Sequence, residues 1–247
     1  QAIRIFTGAA MPEGGDSVFM QEDTRASEDG SRVTVPAGLK SGANHRKAGE
    51  DIAVGDVILH KGRRLRPQDL GLAASIGTES VQVFRQLKAA IFSTGDEIRE
   101  PGQPLEVGAI YDANRFVLRG LVEKLGVAVT DLGILPDDEP TIRAALDAAS
   151  QDHDVILTSG GVSVGEEDHI KPAVEALGSL HFWRLAVKPG RPVALGQVGK
   201  VPFVGLPGNP AAAIVTFLRF ARPMILLLAG DARTDPVIVQ VRSAFSH

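Results

Sequence analysis

Hydrophobic positions change their spacing twice along this chain. Up to about Arg46 they fall in short alternating runs, Ile3 to Thr7, Ser17 to Gln21 and Ser31 to Val35, separated by Pro-Glu-Gly-Gly and Glu-Asp-Gly-Ser clusters. Period-two alternation cut by turn formers predicts a small β-rich module over 1–46. Between Lys47 and Arg85 the pattern shifts to Gly-Glu-Asp-Ile, a strand around Val57 to His60, a Lys-Gly turn and a helix from near Pro67 that Gly77 closes. That mixture predicts a connecting lobe over 47–86. The first residues alternate like a strand without an initiator methionine or a cleavable apolar leader, so the chain is expected to begin mid-protein.

From Leu87 onward apolar strands and helical segments alternate. Lys88 to Phe92 reads as a strand, and Asn114 to Leu125 as an amphipathic helix placing Phe116, Val117, Leu118, Leu121, Val122 and Leu125 on one side before Gly126. The pattern recurs with Val127 to Leu135, a helix from Pro140 to Ala149, the strand Asp154 to Thr158 and a helix opening near Asp168 with Pro172 in its first turn. Strands at His181 to Val187, Val193 to Leu195 and Val201 to Val204 precede a helix with Asn209 as N-cap and Pro210 at its first position. Such alternation over 87–230 predicts an α/β fold, a mostly parallel sheet with helices on both faces, and ligands at the carboxyl ends of its strands. The longest apolar stretch, Ala211 to Leu228, is interrupted by Arg219, Arg222 and Pro223, which predicts a buried or interface helix rather than a membrane span. No repeat or low-complexity tract interrupts the chain.

Composition narrows the chemistry. The 247 residues carry a formal net charge of −4 with both signs interspersed, so no general field favours nucleic acid or an anionic membrane, and any anion site is local. With no cysteine, disulfides, thiolate zinc sites and a cysteine nucleophile are excluded; a reducing compartment is permitted. The six histidines show no metal-ligand spacing.

Strand Asp154 to Thr158 runs into Ser159-Gly160-Gly161-Val162-Ser163-Val164-Gly165 and then Glu166-Glu167-Asp168. Successive N–H groups with Ser159 and Ser163 can cradle an anion; equally, the glycines can simply supply positive φ in a tight turn. The segment lacks Gly-Lys-Ser/Thr and the Gly-x-Gly-x-x-Gly spacing, which weakens a nucleotide-fold reading. Ser93-Thr94-Gly95-Asp96-Glu97 and Pro136-Asp137-Asp138-Glu139 follow two other strands, so Glu97, Asp137 and Asp168 could converge on one hard cation, magnesium being the natural choice. Taken singly, Asp138 and Asp168 could serve only as helix caps. Arg184, Lys188 and Arg191, around Lys188-Pro189-Gly190-Arg191-Pro192, offer cations suited to an oxyanion, against the alternative of solvated surface charges. Gly205-Leu206-Pro207-Gly208-Asn209-Pro210 could hold a negative group at a helix start, or Asn209 could only cap that helix.

In this order, the Ser93 to Glu97, Ser159 to Gly165, Lys188 to Pro192 and Gly205 to Pro210 segments resemble the molybdopterin molybdenumtransferase family, which includes the carboxyl-terminal domain of gephyrin. Arg4-Ile5-Phe6-Thr7-Gly8-Ala9 and Gly49-Glu50-Asp51-Ile52 resemble further motifs of that family. The resemblance implies a cytoplasmic, magnesium-using homodimer that binds adenylated molybdopterin and molybdate, inserts the metal and releases AMP. It implies acidic active-site roles for Glu97, Asp137 and Asp168, with Glu97 and Asp168 as metal ligands, and molybdate or phosphate contacts for Arg184 and Lys188. Thr94, Ser159, Gly160, Gly161, Ser163, Gly165, Arg191, Pro207, Gly208 and Asn209 would line the substrate, while Thr7 and Asp51 would reach the site from the partner subunit. Arg184 stands where lysine is expected, the family's N-terminal Asp-Gly segment is missing, and residues 231–247 would begin a C-terminal β domain. Two alternatives remain: a molybdopterin adenylyltransferase, which would make the adenylate and is also a potential partner, and a gephyrin-like scaffold.

Overall fold

The computed structural model describes residues 2–162, 169–184, 192–236, 238–242 and 244, and for 182–184 the backbone alone. The chain divides into two compact units, 1–58 and 59–247.

In the first unit regular structure is sparse. A single 3-10 turn, Gln21–Asp23, precedes an antiparallel pair, β1 (Arg25–Ala26) and β2 (Val33–Thr34). The strands expected at Ile3 to Thr7 and Ser17 to Gln21 do not form, and the one expected at Ser31 to Val35 shrinks to β2. Alternation demands a face to bury, yet Ile3, Phe6, Met20 and Val35 are all exposed. Turns held by side chains carry this unit instead: Asn44, at φ 58°, donates from Nδ2 to the Val18 carbonyl at 2.8 Å.

The strand expected at Val57 to His60, across the boundary between the units, does not form. The second unit's first helix, α1 (Pro67–Ser75), matches expectation, with Gly77 in the left-handed region just beyond it. Asp69 is buried in its first turn, accepting from Arg63 Nη2 at 2.6 Å and from the Arg66 backbone N–H at 3.0 Å.

Thereafter follow β3 (Lys88–Thr94), β4 (Ile98–Arg99), β5 (Ile110–Tyr111), α2 (Asn114–Glu123), β6 (Ala128–Leu135), α3 (Glu139–Asp152), β7 (Val155–Ser159) and α4 (Ile170–Leu177). The series ends with β8 (Gly178–Arg184), β9 (Pro192–Val198), β10 (Val201–Leu206), α5 (Pro210–Thr216), a π turn (Phe217–Ala221) and α6 (Arg222–Leu228). The six-stranded sheet has the order β6-β3-β7-β10-β9-β8. Its first four strands are mutually parallel; β9 runs antiparallel to both β10 and β8. The mostly parallel α/β expectation holds, and β8 consequently runs in the same direction as β10.

Helices cover both faces. Ala89, Ile91, Val155, Leu157, Val204 and Leu206 turn toward one core with Leu118 and Val122 of α2 and Ala213, Phe217, Ala221 and Ile225 of the last helix. Ala90, Phe92, Ile156 and Phe203 turn the other way, onto α3 and α4. Strands buried on both faces read as continuous apolar runs, which is why β3 and β7 were legible. On α2, Phe116 and Val117 are solvent-exposed rather than sharing the buried stripe, because the 100° step carries them off the side of Leu118 and Val122. The run Pro210–Leu228 is long and apolar enough to cross a membrane. Its Ala213-Phe217-Ala221-Ile225 stripe nevertheless packs on the sheet, as a core helix does. Pro223 lacks an N–H for the turn before it, and the π turn takes up that break.

The Arg63 and Arg66 guanidinium groups hold the Asp69 carboxyl well below the usual carboxylate range, against the opposing effect of burial. A depressed acid contributes stability above its unfolded value near ~4, lost as pH falls through the folded value. Urea midpoints from neutral pH to below that value should therefore fall more steeply for the native protein than for Asp69→Asn; parallel curves would remove Asp69 from the acid limb.

Candidate functional site

The connections of β3 and β7 leave the sheet in opposite directions. β3 leads through α2, on one face, to β6; β7 leads to α4, on the other. A crevice opens at such a reversal, outside the carboxyl ends of the two strands. The register brings those ends level: Ser93 pairs with Ser159, Thr94 with Leu135, and Leu206 with Ser159.

Two carboxylates fold onto the end of β3. Thr94 donates from Oγ1 to Asp137 Oδ1 at 3.1 Å. The Glu97 carboxylate turns back over Gly95, so that a Cβ added there would lie 2.8 Å from Glu97 Oε2. The neighbouring Asp138 caps α3, accepting from the Thr141 N–H at 3.0 Å, as its simpler reading expected. Beside them lies an open depression of about 450 Å³, lined by residues of the β3–α2 loop and by Ile134, Leu135 and Pro136.

The glycine turn meets the positive-φ reading. Gly160 and Gly161 adopt φ values of 90° and 62°. An added Cβ would also meet the Thr94 carbonyl oxygen at 2.6 Å from Gly160, and Ile170 Cδ1 at 2.6 Å from Gly161. The turn therefore presses directly onto the end of β3. Gly160 donates its N–H to the Leu206 carbonyl at 3.2 Å, tying β7 to the Leu206-Pro207-Gly208 segment. Asn209 caps the last helix, accepting from the Ala212 N–H at 3.1 Å, and Asn114 Nδ2 donates to the Gly208 carbonyl at 2.7 Å.

Thr94, Glu97, Asp137, Ser159, Gly160, Gly161, Pro207, Gly208 and Asn209 thus share the carboxyl rim of the parallel strands. Arg184 ends β8, whose direction brings its terminus to the same rim, three strand spacings or about 14 Å from β7. Ser163, Gly165, Asp168, Lys188 and Arg191 lie outside the described residues. Thr7 and Asp51 belong to the first unit, where both are exposed and Asp51 accepts from Arg46 Nη1 at 3.0 Å. Among the described residues no group of three or more histidines and carboxylates converges as a metal cage.

Three features escaped sequence reasoning. Ser93 and Thr158 are buried at the strand ends with hydroxyls that have no partner among the described residues. Asn114, read only as a helix start, locks α2 to the Gly208 turn. Arg115 gathers Glu100, Asp112 and Asp131. Only the last had a local signal, since Asp112 and Arg115 stand three apart where a helix begins.

Residues 90–226 match the family described as a probable molybdopterin binding domain, and residues 1–77 match the MoeA N-terminal region (domain I and II). The chain is 48% identical over 230 residues to a molybdopterin molybdenumtransferase of Haemophilus influenzae, covering 93% of this chain and 57% of the relative. It is 38% identical over 248 residues to a molybdopterin molybdenumtransferase of a Nostoc species, covering 98% and 56%. The chain therefore spans somewhat over half the length of these relatives. The crystal structure of a molybdopterin biosynthesis MoeA protein from Pyrococcus horikoshii superimposes with a TM-score of 0.74 at 30% identity, covering 94% of this chain and 56% of that one.

Gly161→Ala should lower the unfolding free energy by about 1–3 kcal/mol, since the methyl would overpack against Ile170 and Thr94. Urea unfolding measures this, and an unchanged midpoint would show that the turn does not press on β3.

Proposed function

Because the chain belongs to the molybdopterin-binding domain family and carries the MoeA N-terminal region ahead of that domain, we propose that it inserts molybdenum from molybdate into adenylated molybdopterin, with release of AMP. The observation that supports this reading is that three features gather at the end of β3: Asp137 accepts from Thr94, Glu97 turns back over Gly95, and the Gly160-Gly161 turn packs on Thr94. Metal insertion that cleaves a phosphoanhydride needs negative charge handled at two places, the phosphates and the molybdate dianion. The glycine turn, apart from the Gly160 N–H that the Leu206 carbonyl already accepts, would supply N–H groups for the first. Arg184 and Lys188 are the cations assigned to the second.

Magnesium suits the acidic side. It takes one or two carboxylates, substrate phosphates and several waters, so a site with few protein ligands fits it better than it would fit calcium. Glu97 and Asp168 would hold it, and when bound it neutralises charge developing on the phosphoanhydride. Asp137, held by Thr94, would serve as a hydrogen-bond acceptor for an ordered water or a substrate hydroxyl.

Residues 1–77 favour the transferase over the single-domain adenylyltransferase, which would leave them without a role. The reading extends to a homodimer in the cytoplasm. Exposed Val215, Leu218, Leu227 and Leu228 on the last helix provide apolar surface for a second copy, and a cysteine-free chain requires no oxidising compartment. The adenylyltransferase that supplies the substrate is the corresponding transient partner.

Incubation with adenylated molybdopterin, molybdate and magnesium should release AMP in a molybdate-dependent manner. Glu97→Gln and Asp137→Asn should each slow that release by roughly 100-fold, with thermal midpoints near that of the native protein. AMP release indifferent to molybdate, or indifferent to both substitutions, would refute the assignment.

A further inference from the structure

We propose that Arg115 is a positioning residue for this chemistry: its guanidinium fixes the β3–α2 loop, and with it Asp96 and Glu97, against β6. The inference rests on the functional reading above. Arg115 is the second residue of α2 and is 4% exposed. It donates from Nε to Asp112 Oδ2 at 2.9 Å, from Nη1 to Asp131 Oδ1 at 2.5 Å, and from Nη2 to Glu100. Each carboxylate sits on a different piece of chain, Glu100 just after β4, Asp112 just after β5 and Asp131 within β6.

The loop between them folds back on itself. β4 and β5 pair in parallel, Ile110 donates its N–H to the Glu97 carbonyl at 2.8 Å, and Asp112 donates to the Arg99 carbonyl at 2.9 Å. Arg99 in turn donates from Nη1 to the Asp96 carbonyl at 2.6 Å. The backbone of Asp96 and Glu97 is thereby linked to the two carboxylates that Arg115 holds on the loop side. On the strand side, Asp131 Oδ1 also accepts from the Gly133 N–H at 2.9 Å. That contact lies where the register of β6 shifts against β3, immediately before Ile134 and Leu135. The depression beside the strand end has these two segments as its walls, and one guanidinium joins them.

Lysine cannot substitute. A planar fork with five donors spread over its edges reaches three acceptors in three directions; an ammonium is a compact point charge that cannot span the same separation. Nor is stability the natural product of such a cluster, because buried ionic networks are often no better than apolar packing of the same volume. What a network of this kind supplies is a fixed geometry.

Two variants test the proposal, Arg115→Lys and the triple variant Arg115→Met/Glu100→Gln/Asp131→Asn, which removes the cation together with most of the repulsion that its loss would leave. The triple variant should melt close to the native protein, yet amide exchange in 95–111 should rise about tenfold or more while β3 and β7 stay protected. AMP release should fall about 10- to 100-fold in both variants, through kcat more than through KM for adenylated molybdopterin. Turnover that recovers along with the melting temperature would make Arg115 merely structural and overturn the proposal. If the native protein released no AMP, the functional reading would fall by itself, and exchange would still decide the positioning role: a loop as protected in Arg115→Lys as in the native protein would end it.

Discussion

A parallel strand covered by helices on both faces can offer chemistry only where it ends. Ala89 to Thr94 of β3 and Val155 to Ser159 of β7 are buried throughout, so neither strand has a free face for a ligand. Every polar group these strands deliver must come from the last residues or the loops that follow. Ser93, Thr94, Thr158 and Ser159 are polar for this reason, after runs of alanine, isoleucine, leucine, valine and phenylalanine. The divergence of the two connections then leaves a crevice rather than a covered edge.

Close backbone approach is the second condition. Pressing one loop onto the neighbouring strand end requires the absence of side chains at Gly160 and Gly161, where a Cβ would sit within 2.7 Å of Thr94 or Ile170 atoms. The opposite end of the sheet is closed by charge: Arg85 holds Asp154 with two nitrogens, and Asp154 also accepts the Lys88 N–H at 2.9 Å. The amino-terminal edge is thus clamped by charge, and the carboxyl-terminal edge is drawn together by close backbone packing at glycine.

The legibility of this arrangement in sequence follows from the range of the interactions. β3, α2, α3, β7, β10 and the helix from Pro210 were readable because burial on a sheet imposes a local period and because Gly126, Asp138 and Asn209 mark helix ends with local chemistry. The rim residues were readable as motifs following those strands. Alternation misled in the first unit, where Ile3, Phe6 and Met20 alternate without a buried face and turns dominate. The Arg115 cluster was not readable because Glu100 and Asp131 are 15 and 16 residues away and no periodicity relates them. Asn114 and Gly208 are 94 apart, and their bond exists only once two helix starts have been brought together by the sheet.

Charge gives the last link between fold and chemistry. Burial opposes the charged form of Arg115, yet Asp131, Asp112 and Glu100 together raise its pKa above the ordinary arginine range. Burial likewise works against the Asp131 carboxylate, but Arg115 and the Gly133 N–H hold its carboxyl below the usual range. Arg115 and Asp131 therefore both stay charged across physiological pH. The cluster stands behind the loop that carries Asp96 and Glu97, and the carboxylates at this end of the rim would favour a divalent cation over a bare anion. An oxyanion substrate consequently needs its own cations, and the rim position of Arg184, at the far side of the sheet from β6, separates those from the carboxylates by several strand spacings.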